Sequence, residues 1–180
     1  MSEVLQAIRN RRSVRKFKDQ PVSDEVLQQL LEAIQWAPSW ANTQCWEVVL
    51  VNDPAQREKL QATLGPGNPA TKAIVTAPAL LVLCGKLKES GFYKGQVTTK
   101  FGDWFLYDLG IAAQNLHLAC QALGLGMVTV GLFNQDAAAR VLGVPEGYEL
   151  VAMMPIGYPD QDPKPPKRKE ISDFTHYDRW

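Results

Sequence analysis

Arg11-Arg12-Ser13-Val14-Arg15 places three guanidinium groups and a hydroxyl within five residues. That combination suits an anion with several oxygens, above all a phosphate. Each arginine offers a planar fork of donors and stays charged at any working pH. A second reading competes on local sequence. Val4, Leu5 and Ile8 precede the cluster at helical spacing, so it falls at a helix C-terminus, where cations complement the dipole. Ser39-Trp40-Ala41-Asn42-Thr43-Gln44 is a polar loop whose amides offer both donors and acceptors, suited to a mixed hydrogen-bonding edge or simply to a turn. Gly131, inside a strand-like run, marks either a close backbone approach to a ligand or a packing accommodation. No strong acid, base or nucleophile constellation accompanies these groups. A GxGxxG fingerprint after a strand, a GxxxxGK[ST] loop and a GxSxG elbow are all absent.

The elements that must position these residues are legible in outline. Ser23 is an N-cap followed by Asp24 and Glu25, and Val26, Leu27, Leu30, Leu31 and Ile34 give the helix one apolar face that ends at Pro38. Trp46–Val51 reads as a strand. Asp53-Pro54 opens a helix running to about Leu64, and Gly65–Pro69 is a turn-rich break. Ala79–Cys84 reads as a buried strand, and the polar stretch Lys86–Lys100 as an exposed, mobile segment.

Phe101–Leu123 is the longest helical pattern and has hardly any polar face, so it must be buried nearly all round, within the domain or against a partner chain. Ala112 and Ala113 permit close approach, which favours a homodimer. Gly124 and Gly126 end this helix, Met127–Leu132 is strand-like, Asn134 caps Gln135–Leu142, and Glu149–Ile156 is a last strand. A proline-rich tail follows, carrying Lys167-Arg168-Lys169 and ending in aromatics suited to docking. The irregular alternation predicts one α+β domain over residues 1–180, with a mixed sheet flanked by helices on both faces.

Nineteen basic and nineteen acidic side chains leave a net charge of zero, which argues against a nucleic-acid or membrane-surface binder. No apolar window is long enough to span a membrane, and the polar N-terminus is not a secretory signal. Cys45, Cys84 and Cys120 suit neither a disulfide framework nor a metal site, so reducing cytoplasm is the expected compartment. With two histidines, no metal site is expected. His117 reads as a core or interface histidine, and Cys45 and Cys120 as small buried hydrophobes.

Four segments in order resemble the nitroreductase family of flavin enzymes. Arg11–Phe17 resembles its RRS-x-R-x-F opening, and Ala37–Trp46 resembles its APS-x-x-N-x-Q-P-W loop. Ala112–Leu116 through Gly124-Leu125-Gly126 resembles its long helix and GLG ending. Ile156–Pro159, followed by Arg168-Lys169 and the Tyr177–Trp180 end, resembles its short single-domain members.

The resemblance implies a nitroreductase-like α+β fold with a mostly antiparallel central sheet, and a homodimer whose C-terminal tail wraps the partner. It also implies FMN at the interface. Arg11 and Ser13 would hold the phosphate and ribityl chain, Arg12 and Arg15 would make neighbouring contacts, and Arg168 would reach the phosphate from the C-terminal side. Pro38, Ser39, Asn42 and Gln44 match positions that serve the flavin ring, typically from the partner, and Val130 and Gly131 match the strand end facing flavin N5. Trp40, Phe101 and Trp104 become candidate substrate contacts, with Lys86–Trp104 forming a channel wall. The implied reaction is ping-pong hydride transfer from NADH or NADPH to nitroaromatic or quinone-like acceptors, with the cofactor rather than a catalytic side chain performing the chemistry. Trp40 is bulkier, and Cys45 replaces a proline, relative to the family pattern. A flavoenzyme of the same fold with a dedicated substrate, or a flavin-storage module, stays open as an alternative.

Overall fold

The computed structural model describes residues 2–180. Its organising element is β2 (Ala79–Lys86), whose residues are buried on both faces up to Gly85. Side chains alternate across a strand, and this run is apolar on both sides. Ala79, Leu81 and Leu83 meet one set of helices, while Leu80, Val82 and Cys84 meet the other. β2 pairs antiparallel with β1 (Trp46–Leu50) and with β6 (Tyr148–Gly157). A short β5 (Gly126–Met127) completes the order β1-β2-β6-β5. Among the described residues every strand pair is antiparallel, and the one parallel element is an isolated bridge from Ser13 to Met127.

Helices α2 (Asp24–Gln35) and α5 (Phe105–Ala122) cover the first face. Helices α3 (Pro54–Gln61), α4 (Thr71–Thr76) and α6 (Gln135–Leu142) lie on the second. The expected caps form. Ser23 Oγ accepts from Val26 N–H at 3.4 Å, Asp53 Oδ1 from Ala55 N–H at 2.9 Å, and Asn134 Oδ1 from Ala137 N–H at 2.9 Å. Leu30 and Ile34 anchor α2 in the core, each burial stabilising the fold by about 1.5–3 kcal/mol.

The run expected as a strand over Met127–Leu132 leaves the ladder after Met127 and rejoins it only at Val130, which exchanges two hydrogen bonds with Met153 at 2.9 and 3.0 Å. Both contacts share one register, which sets Val128 opposite Pro155. That pair should also exchange two bonds, but Pro155 has no N–H to donate. The same geometry lets a proline sit inside β6, because its nitrogen faces the gap rather than β2.

Other boundaries shift for local reasons. Gly102 takes φ 72°, and α5 therefore begins at Phe105, with Asp103 Oδ1 accepting the Phe105 N–H at 3.1 Å. Gly124 ends α5 at φ 71°, whereas Gly126 belongs to β5. The polar stretch after Lys86 forms a hairpin, β3 (Phe92–Tyr93) and β4 (Gln96–Val97), pinned by Thr98 N–H to Gly91 O at 2.9 Å. Helix α4 escapes the sequence pattern, since Thr-Lys-Ala-Ile-Val-Thr favours a strand and is held helical by burial of Ala73 and Ile74.

Within a single chain, α5 is covered on one side only. Leu109, Ala112, Leu116 and Cys120 face the core, but Leu106 and Tyr107 are 58% and 63% exposed.

Candidate functional site

Helix α1 (Glu3–Asn10) ends with the Arg11 N–H bonded to Ala7 O at 2.9 Å. The chain then runs beside β5, with Val14 N–H donating to Met127 O at 3.0 Å. Gly126 makes this approach possible, because a Cβ there would lie 2.6 Å from Val14. Arg12 takes the helix-end role foreseen for the cluster, donating from Nη1 to Arg9 O at 2.6 Å and Arg11 O at 2.8 Å.

Arg11 is placed differently. Its pKa is lowered by burial first and then by the charges of Arg12 and Arg168. Among the described residues the one ion pair is Lys86–Glu89, so none of these three cations is held in an ion pair, although the Asp162 carboxylate lines the same cavity as Arg11 and Arg12. Arg11 and Arg12 line a cavity of about 220 Å³ with His117, Gln121 and Gly126. Like charges converging with no ion pair formed favour an anionic ligand.

A second cavity, of about 290 Å³, is lined by Arg15, Asn68, Thr129, Val130 and Gly131. It lies along the segment released opposite Pro155. Arg15 Nε is buried there with no partner, a donor that is costly to leave unsatisfied. A Cβ on Gly131 would meet nothing within 4 Å, so the backbone is open to approach. Asn68 fixes the facing turn: its Nδ2 donates to Leu132 O at 3.0 Å and its Oδ1 accepts from Ala70 N–H at 2.9 Å. His117 connects the two cavities through a 2.9 Å contact between its Nε2 and Thr129 Oγ1. Burial, and then the Arg11 charge, push its pKa down to about 4, which leaves the imidazole neutral at pH 7.

The polar loop lies elsewhere. Pro38, Ser39 and Trp40 line a third cavity, of about 240 Å³, with Trp104, Tyr107 and Asp108. Phe101 meets the Trp104 ring edge-on at 6.1 Å, and Trp104 meets Tyr107 at 5.2 Å. Asn42 and Gln44 are exposed, at φ 57° and 51°. The loop enters β1 at Trp46, whose register leads through Gly85 to Glu149 at the start of β6. Val130 instead sits beside Met153 on the other side of β6. Strand spacings put the two groups roughly 14 Å apart across the sheet and a further ~13 Å along it. One chain thus gathers the arginines with Val130 and Gly131, but not with the loop.

The nitroreductase family pattern matches residues 8–158. The chain belongs to the nitroreductase family. The chain is 31% identical over 185 residues to an NADPH-flavin oxidoreductase of Vibrio harveyi, covering 100% of this chain and 75% of that one. It is also 31% identical to an FMN reductase [NAD(P)H] of Bacillus subtilis, covering 93% and 70%. The solved NADPH:FMN oxidoreductase of Vibrio harveyi complexed with NAD+ superposes with a TM-score of 0.84 at 28% identity, covering 99% and 78%. This nitroreductase-family chain therefore has the fold that its motifs imply, an antiparallel sheet flanked by helices.

Three residues of the cavities escape motif reading. Asn68 carries only an ordinary turn signal, and Thr129 none. Asp108 could have been noticed as a lone carboxylate among Leu106, Tyr107 and Leu109.

Proposed function

We propose that this chain is an FMN-dependent NAD(P)H oxidoreductase of nitroreductase type, working by a ping-pong cycle on nitroaromatic or quinone-like acceptors. The observation that carries the reading is the set of guanidiniums held in no ion pair, Arg11, Arg12 and Arg168, next to a cavity where Arg15 Nε is buried without a partner and the Gly131 backbone is open. That donor set fits a phosphate joined to a polar ring. Arg11, Arg12, Ser13 and Arg168 would hold the phosphate end, and Arg15, Val130 and Gly131 the ring. Bound FMN would supply hydride chemistry between the nicotinamide and the acceptor. The protein's part is to bind and orient. Phosphate charge is stabilised more strongly by arginines in a sheltered cavity than in water.

Pro38, Ser39, Asn42 and Gln44 belong to the same site in this reading, yet their own chain holds them too far from Arg15 to serve one ring. A two-fold dimer resolves this, since each loop can serve the partner's cavity and symmetry completes two sites at once. The uncovered apolar face supports it. Val4, Leu5 and Ile8 on α1 and Leu106 and Tyr107 on α5 are exposed, as are Ile171, Phe174, Tyr177 and Trp180 of the tail. Trp40, Phe101 and Trp104 would then border the acceptor. We place the protein in the cytoplasm as one FMN-binding domain; no helix among the described residues is long and apolar enough to cross a membrane.

The test is the visible spectrum of the purified protein and identification of any released chromophore. FMN near one per chain, lost in the Arg11→Ala/Arg168→Ala double variant, is the expected result. A colourless protein that takes up no added FMN overturns the reading.

A further inference from the structure

Asp108 lies in the first turn of α5 and is 1% exposed. No lysine, arginine or histidine pairs with it among the described residues. Nor does it serve its own helix, whose Phe105 N–H is taken by Asp103. Both of its oxygens go to the polar loop. Oδ1 accepts the Trp40 N–H at 3.0 Å, and Oδ2 accepts the Cys45 S–H at 3.7 Å. The thiol remains a donor at neutral pH, because burial and the neighbouring carboxylate push its pKa up to about 12.

These two anchors straddle three non-glycine residues in the left-handed region, Ala41 at φ 46°, Asn42 at φ 57° and Gln44 at φ 51°. Each such residue is strained, asparagine least. Bonds inside the loop tie it only to itself: Asn42 N–H to Ser39 O at 3.1 Å, Thr43 N–H to Trp40 O at 3.0 Å and Gln44 N–H to Ser39 Oγ at 3.0 Å. Asp108 ties it to the core. A hydrogen bond to a charged acceptor is among the stronger kind, and these two oppose the loop's strain.

We propose that Asp108 is a positioning residue for the flavin ring, holding the Ser39–Gln44 loop in the strained conformation that presents Asn42 and Gln44, and acting through the Trp40 amide and the Cys45 thiol. The proposal rests on the FMN reading above. It predicts that losing Asp108 weakens recognition of the ring and leaves recognition of the phosphate end untouched, since the arginines sit at the far edge of the sheet. Simple loss of structure would weaken both.

The experiment compares dissociation constants for FMN and for ribitol 5-phosphate, which lacks the ring, in the full-length protein, Asp108→Asn and Asp108→Ala. Asn keeps the volume and one acceptor oxygen, but a neutral acceptor bonds about half as strongly. The expected series is an FMN constant three- to tenfold weaker for Asn and more than tenfold weaker for Ala, with ribitol 5-phosphate unchanged within twofold. If the Ala variant does not fold, the Asn variant decides alone. Unchanged FMN affinity, or a parallel loss for both ligands in Asp108→Asn, overturns the proposal. A wild-type chain that binds no FMN overturns the functional reading itself, before any variant is compared.

Discussion

His117 Nε2 and Thr129 Oγ1 meet at 2.9 Å, joining the middle of α5 to the segment that leaves the sheet opposite Pro155. The imidazole thereby lies between the arginine cavity and the Gly131 cavity, and the fold holds it neutral there.

That neutrality makes stability depend on acid. The folded pKa of about 4 lies below the unfolded value of 6.5, so the unfolded chain binds more protons between the two. Stability is full above pH 6.5 and falls as pH drops toward 4, by on the order of 3 kcal/mol at most. Thermal unfolding followed from pH 7 to pH 4 should show this loss. His117→Leu should flatten the curve, because Thr129 is exposed and can bond water instead. An equally steep curve in the variant would remove His117 as the cause.

Gly131→Val should separate binding from folding. A Cβ there meets nothing within 4 Å, so unfolding free energy should move by no more than about 0.5 kcal/mol. The added side chain occupies the space proposed for the ring, so bound FMN should fall at least tenfold on equilibrium dialysis. Full occupancy in the variant would displace the ring from Gly131.

Gly126→Ala should damage both. Its Cβ would press on Val14 Cβ at 2.7 Å, an atom next to the backbone that has little room to move. Overpacking of this kind costs about 1–3 kcal/mol, and for a chain of this size each kcal/mol lowers the melting temperature by roughly 2–4 °C. Because Val14 carries the arginine segment against β5, FMN affinity should fall with it. Calorimetry and flavin titration together check the pair of effects.

Ile8→Arg with Leu106→Arg should test the interface. Both side chains are about half exposed in one chain, so the fold should survive at nearly wild-type helicity by circular dichroism. Light scattering should report a dimer for the parent and a monomer for the variant, with loss of flavin in the monomer. A parent that runs as a monomer while still holding FMN would end the two-half-site account.

The family, the caps of α2, α3 and α6 and the apolar run Ala79–Cys84 of β2 are legible in the residues themselves. Local signals suffice for these: a hydroxyl or carboxylate before an apolar face, a strand buried on both sides, motifs in fixed order. The arginine cluster carried two readings on local grounds, and the tertiary structure sets its first two arginines in different surroundings. Arg12 turns back to the carbonyls of α1, and Arg11 is brought into the field of Arg168. No local pattern contains that distinction, because it depends on a charge brought near from the other end of the chain.

The same holds for the break at Val128, which needs the register of β5 on β6 before Pro155 has any consequence, and for Asp108, whose partners Trp40 and Cys45 are distant in sequence. Helix α4 went unread because its β-branched residues favour a strand until the core buries Ala73 and Ile74. Residue type and spacing thus determine which chemistry the chain can offer. Long-range packing decides which of those groups meet, since a hydrogen bond or a repulsion between distant residues exists only after the sheet has set their separation.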